Sequence, residues 1–437
     1  MIVECPRILN MTQRTKGTRG LLVALLLLLP HSARGQQPGS DVDSTAALAD
    51  SAVKANPDIT ALGTSIEALQ QRVRGAGAWL DPVLSFTYQN MPVDRWAPGG
   101  HPMSGIQLSI KQTFYWPGKI KVREQEAEAR VDERRQTLAE RKVQLRAMVK
   151  RAYYRLALVR HLRQVTADHI KLVDQFIDVV RVKYEVGKVG QHDLLRLQVL
   201  RGRLSDELGN FDRDDTALTA AINAALHREA GAAVRTPDRI TPPPLRQDAA
   251  GLVREALRSR PLLKRFLARA AARHATARRA AREGYPDISA WFGYTIRTEV
   301  GTDPGTNFVT LGLSLPLPLS YDRRWGSKRR ENELLAREAE QAREAELDRI
   351  RGEIGRAVAA WRRALEEAGS YRNKLMPAAH KTLDATFAAY QVDRADFASL
   401  FQAELQLLSF ERTIRMAEAS AAIRRVDVEA LVGRDLD

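Results

Sequence analysis

Leu84-Ser85-Phe86-Thr87-Tyr88-Gln89 and Ile288-Ser289-Ala290-Trp291-Phe292-Gly293-Tyr294-Thr295-Ile296-Arg297 both swap apolar for polar residues almost one by one. Period-two alternation with aromatic and β-branched residues is the mark of a strand with two unlike faces. Each run has a neighbour of the same kind. Ile106, Leu108, Ile110 and Phe114 alternate with Gln107, Ser109, Lys111 and Thr113. Val309, Leu311, Leu313, Leu315 and Leu317 alternate with Thr310, Gly312 and Ser314. Turn-rich segments at 90–105 and 298–306 join the neighbours, so the spacing predicts two hairpins.

The two hairpins belong to a larger duplication. Asn56-Pro57 opens an amphipathic stretch that ends at Trp79-Leu80-Asp81-Pro82, and Arg260-Pro261 opens another that ends at Glu283-Gly284-Tyr285-Pro286. Pro57 to Pro261 and Pro82 to Pro286 are both 204 positions apart. Tyr184-Glu185-Val186-Gly187 with Leu194-Leu195 returns as Tyr390-Gln391-Val392-Asp393 with Leu400-Phe401, 206 positions on. Pro237 and Pro242-Pro243-Pro244 mark a linker. The expected divisions are therefore a first repeat over 36–236, a linker over 237–247 and a second repeat over 248–437.

Between these landmarks the pattern is helical. From Pro117-Gly118 it runs unbroken to Tyr184, roughly 100 Å at 1.5 Å per residue. Leu162, Val165, His169, Leu172, Phe176, Val179 and Val186 fall at three- and four-residue steps, the spacing of a coiled-coil seam. Gly187 and Gly190 turn the chain, and Leu194 to Leu226 returns. The second repeat matches this with a helix from about Arg324 to Tyr390, kinked at Pro377, a turn near Asp393 and a return to Val432.

Composition narrows the classes. The chain has 437 residues, 44% hydrophobic and 28% charged, with net charge +15 and one cysteine. That excludes a wholly disordered chain, a disulfide framework and a cysteine-based zinc site. The one long apolar run, Leu21–Leu29, follows Arg14, Lys16 and Arg19 and precedes Pro30 and Ala33-Arg34-Gly35. These are the parts of a secretory signal peptide over 1–35, and nine apolar residues are too few to span a bilayer. Residues 1–10 add nothing to that segment, so Met11 serves equally well as a start. Cys5 would leave with the signal, and the remainder would carry +11. Export makes nucleic acid an unsuitable partner for that charge, and a solvated basic surface accounts for it.

Strands of about ten residues with aromatics at their ends (Tyr88, Trp96, Tyr115, Trp116, Phe308, Tyr321) match the strands of a membrane barrel. Phe86, Tyr88, Leu108, Ile110, Phe292, Tyr294, Leu311 and Leu313 would then face lipid, and Gln107, Ser109, Lys111 and Arg297 the lumen. Four strands cannot close a cylinder, and an open edge in lipid costs several kcal/mol per unpaired backbone group. Three copies would supply twelve strands.

At this point the sequence resembles the outer-membrane efflux proteins, the TolC-like family, over nearly all of residues 36–437. The resemblance rests on Asn56-Pro57, on Asp81-Pro82-x-Leu84-Ser85, on Gln112-x-x-x-Trp116-Pro117-Gly118-Lys119, and on the Tyr184-x-x-Gly187…Asp193-Leu194-Leu195 tip with its echo at Tyr390. It implies a mainly α fold with a small β part: a long coiled-coil α-helical barrel plus a shared 12-stranded transmembrane β-barrel in a homotrimer. It further implies an exit duct in the outer membrane of a Gram-negative cell, extending into the periplasm. The duct would conduct passively from a periplasmic adaptor and an inner-membrane pump of RND type, with metal ions among the candidate cargoes. The adaptor would dock at Tyr184, Gly187, Asp193, Leu194, Leu195, Tyr390, Asp393, Leu400 and Phe401.

Members that close with aspartate rings carry two acids just after the second tip, where this chain has Ser399 and Gln402. With Asp396 these are the candidate gate. Met91 and Met103 carry soft sulfur atoms of the kind Cu(I) accepts, but the reading preferred is of ordinary loop residues beside the membrane. No nucleophile–base pair and no phosphate loop appears, and the scattered histidines contain no i, i+4 pair. The reading is of a non-enzyme with no cofactor. The competing reading is a secreted coiled-coil scaffold with a small soluble sheet.

Overall fold

The computed structural model describes residues 43–94 and 100–436, which belong to one compact unit. The expected signal peptide, Cys5, Trp96 and Gly99 lie outside the described residues.

The duplication is visible element by element. The first repeat has helices α1 (Thr45–Ala55) and α2 (Pro57–Ala76), strands β1 (Val83–Gln89) and β2 (Gly105–Phe114), then α3 (Lys119–Glu185) and α4 (Gln191–Ala225). The second has α5 (Ala249–Ser259), α6 (Pro261–Glu283), β3 (Ile288–Arg297) and β4 (Phe308–Ser314). It continues with α7 (Ser327–Ser370), α8 (Met376–Gln391) and α9 (Phe397–Val432). Pro57 and Pro261 each occupy the first turn of a helix, where a missing N–H costs nothing. Asn56 caps α2 by accepting from the Asp58 amide at 3.0 Å and donates to the Ala225 carbonyl at 3.1 Å. The expected kink at Pro377 takes the form of a π-helical turn, Tyr371–Leu375, immediately ahead of it. An inserted residue there absorbs the lost i→i−4 bond without stopping the helix.

Packing repeats with the same offset as the sequence. One core joins Leu48, Ala52 and Ile59 to Leu145, Val149, Tyr153, Ile222 and Leu226. Another joins Leu252, Ala256 and Leu263 to Ile350, Ile354, Val358, Val428 and Val432. Each residue of the first set stands 204–206 positions before its counterpart in the second. A third core belongs to both repeats and runs along the helices toward the turns, from Val165, Phe176 and Val180 to Leu383, Tyr390 and Leu400. The seam on α3 is carried by Val165, His169, Val173, Phe176, Val180 and Lys183, all buried. Leu172 and Val179 are only partly buried, and Val186 is exposed. A straight helix drifts about 20° per heptad against a 3.5-residue repeat, which hands the seam to neighbouring positions.

The four strands make one antiparallel sheet in the order β1-β2-β3-β4. The β2–β3 pairing stitches the repeats together, with Leu108 opposite Tyr294 and Ile110 opposite Phe292. β4 stops at Ser314, short of Leu315 and Leu317, because Pro316 and Pro318 have no amide to donate. Register puts Phe86, Leu108, Tyr294 and Val309 in one row and Leu84, Ile110, Phe292 and Leu311 in the next. That apolar face is uncovered: Phe86, Leu311 and Leu313 are 71%, 76% and 79% exposed. The polar face is the tighter one, with Thr295 5% and Ser289 9% exposed. Trp291 lies on it directly across Gly312, where a Cβ would come within 2.2 Å of the indole.

Several expectations are corrected here. Among the described residues there is one open sheet with β1 and β4 as its outer strands, and no closed barrel. No helix among the described residues is long and apolar enough to cross a membrane. The expected 12-stranded barrel is corrected by the sheet: the described residues form four strands in one open sheet. Alternation specifies a sheet with unlike faces but says nothing about closure, and the outer strands have seven residues rather than ten. The outer-membrane location, the lipid contact and the exit-duct reading rested on that barrel and fall with it. The coiled-coil reading with a small sheet fits the architecture better.

Candidate functional site at the paired helical tips

Both hairpins end in the same backbone device. At the first tip the Lys188 amide donates to the Lys183 carbonyl at 2.8 Å and the Gly187 amide to Tyr184 at 2.9 Å. At the second, Arg394 donates to Ala389 at 2.8 Å and Asp393 to Tyr390 at 3.3 Å. These 6→1 and 5→2 bonds form Schellman motifs, which need a left-handed residue after the helix. Gly187 supplies it at φ +75° and Asp393 at φ +61°. Aspartate is one of the few side-chain-bearing residues that visit this region.

That substitution is where the tips stop being alike. The Asp393 carboxylate accepts from Lys183 and Lys188 of the other hairpin, the latter at 2.5 Å. The hydrogen bonds from Lys183 and then Lys188 hold its carboxyl at about 2, well below the usual range. Lys183 also donates to the Tyr390 carbonyl at 2.6 Å and lies 4.7 Å from the centre of its ring. Tyr390 is 2% exposed, whereas its repeat counterpart Tyr184 is 42% exposed. Burial, then the nearby charges of Asp193 and Asp393, push the Tyr390 phenol up.

The other expected tip residues divide between core and surface. Leu400 and Asp193 are buried, Leu194 and Phe401 half-buried, and Leu195 exposed. Phe401 stacks on Phe397 at 5.7 Å. Val182 on α3 and Val186 capping its C-terminus, with Leu195 and Val199 on α4, are all exposed, each pair four positions apart. Of the expected gate, Asp396, Ser399 and Gln402 are all exposed. Asp396 is committed to capping α9, its carboxylate accepting the Ser399 amide at 2.8 Å. Lys183 and Lys188 were missed by sequence reasoning. The signal was Lys183 at a seam step between Val179 and Val186.

At the sheet, register separates the two expected residue sets onto opposite faces. Phe86, Tyr88, Leu108, Ile110, Phe292, Tyr294, Leu311 and Leu313 share the apolar one, and Gln107, Ser109, Lys111 and Arg297 the polar one. Arg297 is not a free cation. It pairs with Asp303 at 2.5 Å, and its side chain also bonds the Pro102 carbonyl, tying the two hairpin loops together. The Trp116–Lys119 motif is a joint between repeats. The Trp116 amide donates to Asp287 at 2.8 Å, Lys119 pairs with Asp287 at 2.8 Å, and Trp116 stacks on Tyr285 at 5.6 Å. Met91 and Met103 are exposed loop residues, and no cluster of three or more metal-ligating side chains occurs among the described residues.

Residues 48–224 match the family described as outer membrane efflux protein. No curated protein matches the sequence. Solved structures do match the fold. A membrane protein from Pseudomonas aeruginosa superposes with TM-score 0.76 at 18% identity, covering 90% of this chain and 91% of that one. The outer membrane protein VceC from Vibrio cholerae gives 0.73 at 16% identity, covering 89% and 96%. The Neisseria gonorrhoeae MtrE outer membrane channel in its open state gives 0.71 at 14%, covering 89% of each. The family match thus covers the first part of the chain, residues 48–224, and the solved structures share its fold.

The tip latch is directly testable in this protein. Asp393→Gly keeps a residue at ease in the left-handed region, so the turn should survive, while both lysines lose their carboxylate. Amide exchange at 183–190 is expected to quicken with helix content unchanged. Exchange identical to the native protein would show that the ion pairs hold nothing.

Proposed function

We propose that the protein is the coiled-coil component of a tripartite efflux assembly, acting as a homotrimer. Its helical tips meet a periplasmic adaptor that leads to an inner-membrane pump of RND type. The repeats at 36–236 and 248–437, joined through 237–247, each contribute one helical hairpin to the docking end. The observation that carries this reading is the tip itself. Two Schellman turns are latched side by side by Lys183, Lys188 and Asp393, beside an exposed apolar strip of Val182, Val186, Leu195 and Val199. Apolar side chains one turn apart on two antiparallel helices are what another helical hairpin packs against. Self-association is supported by the uncovered apolar sheet face.

The test uses the full chain with single introduced cysteines. Leu195→Cys and Val392→Cys are expected to cross-link to the adaptor, and Val309→Cys on the sheet is not. Light scattering should return three times the chain mass. A monomer at every concentration, or adaptor cross-links confined to the sheet, would overturn the proposal.

A further inference from the structure

Far from the tips, α3, α7 and α9 line a cavity of about 660 Å³ that opens to solvent, floored by the residue that joins α5 to α6. Arg151, Arg260, Arg349, Arg356 and Arg424 line it, against only two carboxylates, Glu353 and Asp427. Both acids are already engaged. Asp427 takes Arg151 at 2.7 Å and Arg424 at 3.2 Å, and Glu353 takes Arg349 at 3.1 Å. Arg356 has no acidic partner among the described residues.

Arg260 is the decisive group. It is 7% exposed, and its single ion pair runs from Nη2 to Glu140 at 2.9 Å. Its Nε and Nη1 are buried with no hydrogen-bond partner. Burying a guanidinium with two nitrogens unsatisfied is costly, and burial does push this arginine down from its ordinary value despite the charge of Glu140. An anion in the cavity would satisfy those donors. Apart from Gln144, the rest of the wall is apolar, with Val143, Ala357 and Leu431 among it.

We infer that this cavity binds a small organic anion, a carboxylate or phosphate on a compact apolar body. Its charged group meets the guanidinium groups of Arg260 and Arg356. The volume lies in the range of small-molecule sites, and arginine is the residue suited to carboxylate and phosphate oxygens. Carboxylates of a second copy are the competing occupant. The seclusion of Arg260 favours a molecule that can enter the cavity over a flat interface that covers it.

Calorimetric titration of the full protein with benzoate and with phenyl phosphate, at constant ionic strength, decides the matter. Saturable binding of at least one is expected. Arg356→Ala removes an exposed, unpaired side chain and should fold normally while weakening that binding about tenfold. Arg260→Lys keeps a cation for Glu140, loses the extra donors and should do the same. Absence of binding by both anions, or equal affinity in Arg356→Ala, would overturn the inference. So would self-association that weakens in Arg356→Glu while neither anion binds, since the arginines would then belong to a neighbouring copy.

Discussion

His169→Ala is expected to lower the free energy of unfolding by about 3–5 kcal/mol, the usual cost of removing one partner from a buried ion pair. His169 lies on α3 and reaches two carboxylates of α9, with Nδ1 2.5 Å from Glu404 and Nε2 3.2 Å from Glu411. Glu404 is 1% exposed, and its second carboxylate oxygen has no partner. Alanine would therefore strand an anion in the core between the hairpins. Exposed pairs such as Arg135–Asp132 offer the contrast, since one-turn surface pairs contribute about 0.3–0.5 kcal/mol. The double variant His169→Leu/Glu404→Leu should recover most of the loss, because replacing both members by apolar groups removes the stranded charge. Urea midpoints at constant slope measure all of this. A His169→Ala variant within 1 kcal/mol of native would mean the cluster is hydrated and idle.

The same cluster sets a pH dependence. Burial alone would push His169 down, but the hydrogen bonds it donates to Glu404 and Glu411 prevail and raise it from 6.5 to about 9. A raised folded value means that the native state holds this proton more tightly than the unfolded chain does. The stabilisation is thus complete below about pH 6.5 and is lost as pH climbs through 9. A shift of that size corresponds to about 3 kcal/mol. Stability should fall between pH 7 and 9.5 in the native protein and stay nearly level over that window in the His169→Leu/Glu404→Leu variant.

What could be read from the sequence was whatever repeats at short range. Leu48, Ala52 and Ile59 fill one core as Leu252, Ala256 and Leu263 fill another, so the duplication in the string is a duplication in packing. Alternation along β1 to β4 is matched by a register that puts the apolar residues on one face and the polar ones on the other. Closure was not legible, because a strand's period describes its own faces and not what its edge meets. The misassigned seam at Leu172, Val179 and Val186 shows the weakness of idealised spacing over a 67-residue helix. The long-range pairs left no periodic trace at all. His169 meets a residue 235 positions on, Lys183 one 210 positions on, and Arg260 one 120 positions back. Asp393 in place of a tip glycine was noticeable in the sequence. Its tie to two lysines appears only when the hairpins are side by side.

Phe176→Ala is expected to cost about 3–5 kcal/mol, as large-to-small changes of buried aromatics do. Phe176 is 1% exposed in the core that belongs to both repeats, and its ring centre is 5.0 Å from that of Phe387. Neither α3 nor α8 can bury its apolar stripe alone, so this contact bears on whether the hairpins stay together rather than on whether each helix forms. The double variant with Phe387→Ala should reveal a coupling of about 0.5–1.5 kcal/mol between the rings. Phe86→Ala is the control: a residue of the same size, 71% exposed on the sheet, whose loss should scarcely change the stability of the isolated chain. If Phe86→Ala proved the more damaging of the two, an interface would already cover the sheet face in the purified protein. The hairpin seam would then not be the main bond between the repeats.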